Sequence, residues 1–536
     1  MMPRAALALF VALALTQQPP APPGAPSSSS SSYLPAAAPL DELTAADLQD
    51  AMTAGRYTAR QIAELYLRRI EEIDRRGPEL RSVIELNPDA LTIADALDEE
   101  RRTKGPRGPL HGIPVLIKEN IDTADKMMTT AGSLALEGAR PPRDAFIVER
   151  LRAAGVVILG KTNLSEWANF RSTRSTSGWS GRGGLVRNPY ALDRNACGSS
   201  SGTGAAIAAS LAAIGVGTET DGSIVCPSGT NGLVGIKPTV GLLSRSGIIP
   251  ISHTQDTPGP MARTVADAAL LLNAMTGVDA TDAATSASTA HALRDYTKSL
   301  DAGALKGARI GVARKQYFGY SDAADRVVNQ AIADMKAQGA VIVDPADIPT
   351  ASKMDACEME ILLYEFKADL NAYLSRPGST ARVRSLEDII AFNEREKARE
   401  MPYFGQELFL QAQKKGALTT PAYRAAKAKC RALAREQGID LVLRQHHLDA
   451  IVAPTGSPAW TTDLVNGDHF TGASSTPAAV AGYPSITVPA GNAFGLPVGI
   501  SFIGTAHAEG KLIALAYAYE QISKHREPPR FADHAR

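Results

Sequence analysis

The alternation of apolar and polar positions divides the chain into four stretches. Residues 40–103 carry helical spacing: within 59–70, Ile62, Leu65, Tyr66 and Ile70 fall near one face of a helix, as packing against a core requires. From 108 to about 275 the pattern changes to short apolar runs, 114–117 and 156–159, set between Gly/Ser-rich turns and an alanine-rich stretch, 203–214. Such a pattern predicts strands interleaved with helices. Residues 280–440 are richer in charge and in helical spacing. There Ser385-Leu386-Glu387-Asp388 offers a capping box ahead of Ile389, Ile390 and Phe392, and the stretch is expected to cover the core. Strand-like runs return at 449–454 and 497–504, closing one sheet, and no internal repeat is present. The expectation is an α/β fold, a single large domain with a central mixed β-sheet covered by helices. It spans 40–525, with the core of the site at about 108–275 and a C-terminal tail at 526–536.

The N-terminus departs from this pattern. Arg4, an apolar run over 5–15 and the small-residue site Ala12-Leu13-Ala14 have the composition of a secretory signal peptide, taken as residues 1–14. The run is too short to span a bilayer. Residues 15–39, rich in Pro, Ser and Ala with an unbroken serine run from Ser27 to Ser32, read as a low-complexity linker. Export to the periplasm or the medium, without an integral membrane segment, is the expectation.

Composition narrows the function. Of 536 residues, 44% are hydrophobic and 45 are Gly, whereas only 5% are aromatic, which suits close backbone packing in an α/β protein. Lys+Arg and Asp+Glu both total 56, so no net positive field favours nucleic acid. A small or neutral substrate fits better. The four cysteines, at 197, 226, 357 and 430, include no C-x-x-C pair. A zinc site or disulfide scaffold is therefore not expected, and one oxidised pair is left open, with Cys197 and Cys226 as neighbours in space.

Two motif matches fail their context. Gly155-Val156-Val157-Ile158-Leu159-Gly160-Lys161-Thr162 satisfies the phosphate-loop expression, but its four variable positions are Val, Val, Ile and Leu, which is a strand and not an anion-cradling loop. Gly198-Ser199-Ser200-Ser201-Gly202 satisfies the nucleophile-elbow expression with Ser200 as nucleophile, yet the preceding residues 188–195 are polar and turn-like instead of a buried strand.

A third match needs several segments at once. Gly198-Ser199-Ser200-Ser201-Gly202-Thr203-Gly204 followed by Gly217-Thr218-Glu219-Thr220-Asp221-Gly222-Ser223-Ile224 resembles the amidase signature family, and the resemblance covers about residues 40 to 525. It includes Gly112-Ile113-Pro114-Val115-Leu116-Ile117-Lys118 and Gly235-Ile236-Lys237-Pro238-Thr239. Within the family, Trp167-Ala168-Asn169-Phe170-Arg171 and the residues around Ser223 look most like bacterial peptide amidases, which remove the C-terminal amide from peptides. Many relatives carry Gly where this chain has Asp221 and Arg where it has Val225, which puts substrate choice beside the nucleophile in question.

The resemblance implies a catalytic set of Lys118, Ser199 and Ser223. Ser223 is the nucleophile, and Ser199, on a cis peptide, bridges it to Lys118. A serine hydroxyl needs a base, and a lysine can serve as one only when neutral, a state that burial without a carboxylate partner favours. Lys118 follows an apolar run that would carry it inside, although Glu119 next to it could signal an ordinary ion pair. The turn Thr220-Asp221-Gly222-Ser223 would supply backbone N–H groups to the oxyanion, and Ser200 is expected to support the relay. No cofactor and no metal are implied: His111 and His253 are isolated in sequence and read as structural. The expected partner is a small amide or an amidated peptide, handled by a monomer or homodimer that releases ammonia. A broader acyl-amide or ester hydrolase on the same three residues is the alternative; the glutamine-amidase component of a tRNA-modifying complex is a further one.

Overall fold

Eleven strands form one sheet, built outward from two segments that are buried at every position. In chain order these are β1 (Val83–Leu86), β2 (Pro114–Lys118), β3 (Val157–Thr162), β4 (Ile214–Glu219), β5 (Val234–Lys237), β6 (Thr257–Ala262), β7 (Arg309–Val312), β8 (Val341–Val343), β9 (Ala450–Pro454), β10 (Ser485–Ala493) and β11 (Leu496–Ile503). Their spatial order is β1-β3-β2-β4-β6-β5-β10-β11-β9-β7-β8. The pairs β2–β3, β2–β4, β9–β7 and β7–β8 are parallel and the others antiparallel, so the sheet is mixed. The computed structural model describes residues 39–288 and 290–535, which lie in one compact unit. The expected signal peptide and all but the last residue of the expected linker lie outside the described residues.

Helices form where the sequence supplies both a cap and an apolar face. Thr58 caps Ala59–Arg69 in a reciprocal box with Gln61; of the four residues expected on the packed face, Ile62, Tyr66 and Ile70 are buried and Leu65 is partly buried against the same core. Ser385 accepts the N–H of Asp388 ahead of Leu386–Arg395, but the Asp388 carboxylate turns to the N–H of Arg384, so only half of the box closes. The stretch 280–440 does form a helical cover, carried largely by the 21-residue helix Asp355–Ser375 and by Pro421–Ala434. It also contributes β7 and β8 to the sheet edge, which charge and helical spacing had hidden. Among the described residues, no helix is long and apolar enough to cross a membrane.

The phosphate-loop match is the strand β3. Lys161 is buried and its Nζ donates to the carbonyls of Ile121 and Met128 and to Thr129 Oγ1, with no loop around it to hold an anion. Residues 526–535 are tied to the body: Arg526 pairs with Glu42 and donates to the Ala208 and Gly232 carbonyls, and Phe531 is buried.

Candidate active site

The site lies at the carboxyl ends of two neighbouring parallel strands, where open α/β sheets place their ligands. β2 ends in Lys118 and β4 ends in Thr218 and Glu219. From β4 the chain makes the tight turn Thr220-Asp221-Gly222-Ser223, with Gly222 at φ 78°, and enters the helix α2 (Val225–Thr230). Residues 188–200 run irregularly to α1 (Ser201–Ala208), and the Gly198–Ser199 peptide is cis. Ser200 N–H donates to the Ser223 carbonyl at 3.2 Å, which sets the two serine segments side by side.

Lys118 is fully buried. Its Nζ donates to Ser199 Oγ at 2.8 Å, Thr218 Oγ1 at 2.9 Å and the Thr218 carbonyl at 3.1 Å, none of them a carboxylate. Burial lowers its pKa from 10.5 to about 7, against the opposing pull of Glu219 and Asp256. The anticipated competitor, Glu119, is on the opposite side of the strand by simple alternation. It binds Arg182 at 2.8 Å and accepts from Thr130 and Gly132. Ser200 Oγ donates to the Thr218 carbonyl and receives the Thr218 N–H, bracing the residue that cradles Lys118.

The turn after β4 has its own anchors. Glu219 accepts the N–H groups of Ile224 and Val225 at 2.7 and 3.0 Å, Thr220 donates to Asp256, and Thr476 donates to Asp221. Among the described residues, the N–H groups of Asp221, Gly222 and Ser223 have no acceptor, so they are free to serve an incoming oxygen. Behind the turn, Glu358 accepts from Gln255 at 2.8 Å; burial first, then the charge of Asp221, pushes its carboxyl well above the usual range.

Ser223, Gly198, Ser177 and the turn line a cavity of about 510 Å³ together with Trp460, Asp468 and Phe470. The Cys197–Cys226 disulfide borders it, joining the segment before Ser199 to the helix after Ser223. A second cavity of about 420 Å³ opens beside Asn120, Thr218 and Asp256. A second disulfide, Cys357–Cys430, is present where at most one had been anticipated, because these cysteines sit on separate helices with no local motif to mark them. His253 is also not isolated: its Nδ1 lies 2.9 Å from Asp369 and its Nε2 3.3 Å from Glu365. Ligand atoms of the three fall within 4.8 Å of one another. Burial opposes its protonation, but Asp369 and Glu365 raise its pKa, and Glu365 is already saturated by Ser252, Thr254 and Tyr423. His111 is buried with its ring bonded to the Leu97 carbonyl, as a structural histidine would be. Thr218, Asn120, Glu219 and Asp256 were not singled out beforehand, although Thr218 and Glu219 lie within the motif that carries Ser223.

Fold and site together define a hydrolase of amide bonds. The chain belongs to the Amidase family, whose profile matches residues 61–513. The native peptide amidase from Stenotrophomonas maltophilia is 52% identical, with 92% of this chain and 99% of that one covered and a TM-score of 0.88. An amidase family protein from Bacillus anthracis is 37% identical over 91% of this chain and 92% of its own, with a TM-score of 0.82. A probable amidase of Arabidopsis thaliana is 43% identical over 504 residues, 92% of this chain and 92% of that protein.

Proposed function

We propose that the protein is an exported peptide amidase that removes the C-terminal amide from peptides through an acyl-enzyme on Ser223. The 2.8 Å contact between Lys118 Nζ and Ser199 Oγ, with burial lowering the lysine pKa to about 7, carries this reading. Ser223 Oγ attacks the amide carbon while its proton passes through Ser199 to Lys118, and the oxyanion forms against the N–H groups of residues 220–223. The C–N bond then breaks, and the nitrogen leaves as ammonia with a proton returned by the same route. Water repeats the sequence in reverse order of proton transfer, cleaving the ester and freeing the peptide acid and Ser223. No cofactor enters these steps.

The 52% identity to a peptide amidase and the size of the cavity, which suits a peptide end, support this substrate over a long acyl amide. Two disulfides fit an oxidising compartment and support export. Substituting Ser223→Ala should abolish ammonia release from a dipeptide amide and leave the melting temperature within a few degrees. Retained turnover would reject the assignment, and faster hydrolysis of a fatty amide than of the dipeptide amide would favour the broader acyl-amide hydrolase. Fractionation of cells expressing the full chain, with N-terminal sequencing, tests export: an uncleaved protein confined to the cytoplasm would refute it.

A further inference from the structure

The turn Trp167-Ala168-Asn169 has no role in the steps above, yet it is held in an unusual shape and borders the cavity that contains Ser223. Its three residues have φ values of 49°, 52° and 70°, a region that side chains with a Cβ rarely occupy in succession. Ser165, just ahead of it, touches the catalytic segment. Its N–H donates to the Ser199 carbonyl at 3.1 Å, its Oγ accepts the Gly178 N–H at 2.8 Å, and a Cβ placed on Gly198 would come within 2.2 Å of that Oγ. The start of this turn therefore packs on the two residues that carry the proton relay.

The residues on either side of the turn close it. Glu166 and Arg171 are both fully buried, with Glu166 Oε1 3.1 Å from Arg171 Nη1, and Glu166 Oε2 accepts the Gly181 N–H at 2.7 Å. The Arg171 guanidinium lies 4.3 Å from the ring centroid of Phe404 and 5.5 Å from that of Trp179, and it donates to the Glu400 carbonyl. The Glu400 carboxyl, anchored by Ser133 Oγ and the Leu134 N–H, reaches the same place: a Cβ on Gly181 would lie 2.5 Å from Glu400 Oε2 and 3.0 Å from Glu166 Oε2. Two carboxyls thus share one guanidinium inside an aromatic wall. Burial pushes the Glu166 carboxyl up to about 8 against the pull of Arg171, and Glu400 adds to the rise, so its protonated form dominates at pH 7. Apolar side chains of the same size are less costly to bury, which makes stability a weak reason for polar groups here.

We infer that Glu166 and Arg171 are positioning residues for Ser199: by closing the turn they fix Ser165, and through the Ser165 N–H they fix the serine that passes protons between Ser223, Lys118 and the leaving nitrogen. This rests on the peptide-amidase reading. The path is short, since Glu166 follows Ser165 directly and one hydrogen bond joins Ser165 to Ser199. The other bonds of this segment, from Lys118 Nζ to Ser199 Oγ and from the Ser200 N–H to the Ser223 carbonyl, run to groups that take part in the reaction. The Ser165 bond adds a tie to the body of the protein that the reaction leaves alone. Amide cleavage calls on Ser199 twice during acylation, to take the Ser223 proton and to hand one to the leaving nitrogen. A p-nitrophenyl ester releases a stable phenolate and calls on it once.

The test compares kcat and KM for a dipeptide amide and for the p-nitrophenyl ester of the same dipeptide. Glu166→Met fills the space without an acceptor or a charge; Glu166→Gln keeps an acceptor for the Gly181 N–H and matches the protonated carboxyl; Ser165→Ala removes the Oγ that packs on Gly198. Glu166→Met is expected to lower kcat for the amide about 10- to 100-fold and for the ester by a smaller factor, as a displaced relay would, with both KM values within about threefold of wild type. Ser165→Ala should show the same selective loss at reduced size, and Glu166→Gln should keep the wild-type ratio of amide to ester turnover. A mere loss of folded enzyme lowers both substrates equally and leaves that ratio alone. Equal losses on amide and ester in Glu166→Met, a rise in KM at constant kcat, or, should Glu166→Met fail to fold, an unchanged ratio in Ser165→Ala would overturn the inference while leaving the peptide-amidase reading intact. A wild-type enzyme that releases no ammonia from the dipeptide amide would sink both.

Discussion

The lysine at the end of β2 makes a quantitative demand on the pH profile. An unperturbed lysine at pH 7 is neutral in about one molecule in 2,500, whereas a pKa of about 7 leaves half of the molecules with a free amine. Burial thus raises the population of base about a thousandfold, and the drop from 10.5 to about 7 corresponds to about 5 kcal/mol between the protonation states. If Lys118 is the base, kcat/KM for ammonia release should rise tenfold per pH unit below about pH 7 and level off above it, leaving about 1% of the plateau at pH 5. Replacing Glu219, the larger of the two charges that hold the proton on Lys118, by Gln should move the break to lower pH. A profile flat from pH 5 to 9, or a break that moves upward in Glu219→Gln, would refute the reasoning.

The same shift predicts a stability effect of known sign. Between about pH 7 and 10.5 the unfolded chain binds a proton at Lys118 that the folded chain does not, so this residue's contribution to stability improves as pH rises through that window. Below pH 7 both states are protonated and the full cost of burying the charge stands. Lys118→Met removes that cost together with the hydrogen bonds to Ser199 and Thr218. Urea unfolding should show the variant at its greatest relative advantage at or below pH 7, with the difference shrinking toward pH 10, up to a bound of about 5 kcal/mol. A difference independent of pH would show that Lys118 is not buried in the way described. Two further perturbations test the scaffold. The double variant Cys197→Ser and Cys226→Ser opens a link across 29 positions and should cost about 2 to 4 kcal/mol in urea unfolding, with a fall in kcat because the bond ties both serine segments; unchanged kcat would show that packing alone aligns them. Gly202→Ala would bring a Cβ to 2.3 Å from the Ser82 carbonyl and 2.4 Å from that of Asn163, both backbone atoms that cannot step aside, so a loss of about 3 kcal/mol or more is expected, and a variant of wild-type stability would refute that close approach.

What could be read in the chain follows from how far each interaction reaches. β2 and β3 announced themselves because central parallel strands, covered on both faces, are continuously apolar. β7 and β8 did not: each is only three or four residues long, Val341 is exposed, and both sit among helices whose spacing and charge dominate the stretch. The strand order, with β10 placed against β5 across some 250 residues of chain, depends on pairing that no local window contains. Lys118, Ser199 and Ser223 were found through a resemblance spread over several motifs; spacing alone would have left a surface lysine and a flexible Gly/Ser loop. The Cys357–Cys430 bond and the acid pair Asp221 and Glu358 were invisible for the same reason as the strand order, since their members meet only after helix Asp355–Ser375 has docked.

Long-range contacts of this kind also decide the chemistry at Lys118. Three acids, Glu119, Glu219 and Asp256, lie close enough in sequence or space to have captured it in a salt bridge, and a lysine so paired would stay charged and useless as a base. Each carboxylate is instead held by other donors: Glu119 by Arg182, Thr130 and Gly132; Glu219 by the first N–H groups of the helix after Ser223; Asp256 by Thr220, Ile251 and Ser252. The two that influence Lys118 do so from beyond hydrogen-bond contact and offset only part of the effect of burial. The lowered pKa of Lys118 is therefore a property of the whole arrangement of donors around these acids. Removing one such donor, for example by Arg182→Met beside Glu119, should leave the acidic limb of the pH profile in place because strand alternation keeps Glu119 on the far side. Removing Thr220 Oγ1 by Thr220→Val takes away the bond that opposes the burial-driven rise of the Asp256 pKa, so Asp256 stays protonated further into the neutral range, its charge no longer holds the proton on Lys118, and the limb should move to lower pH. Opposite outcomes in these two variants would mean that the side of the strand, and not the occupancy of each carboxylate, has been assigned wrongly.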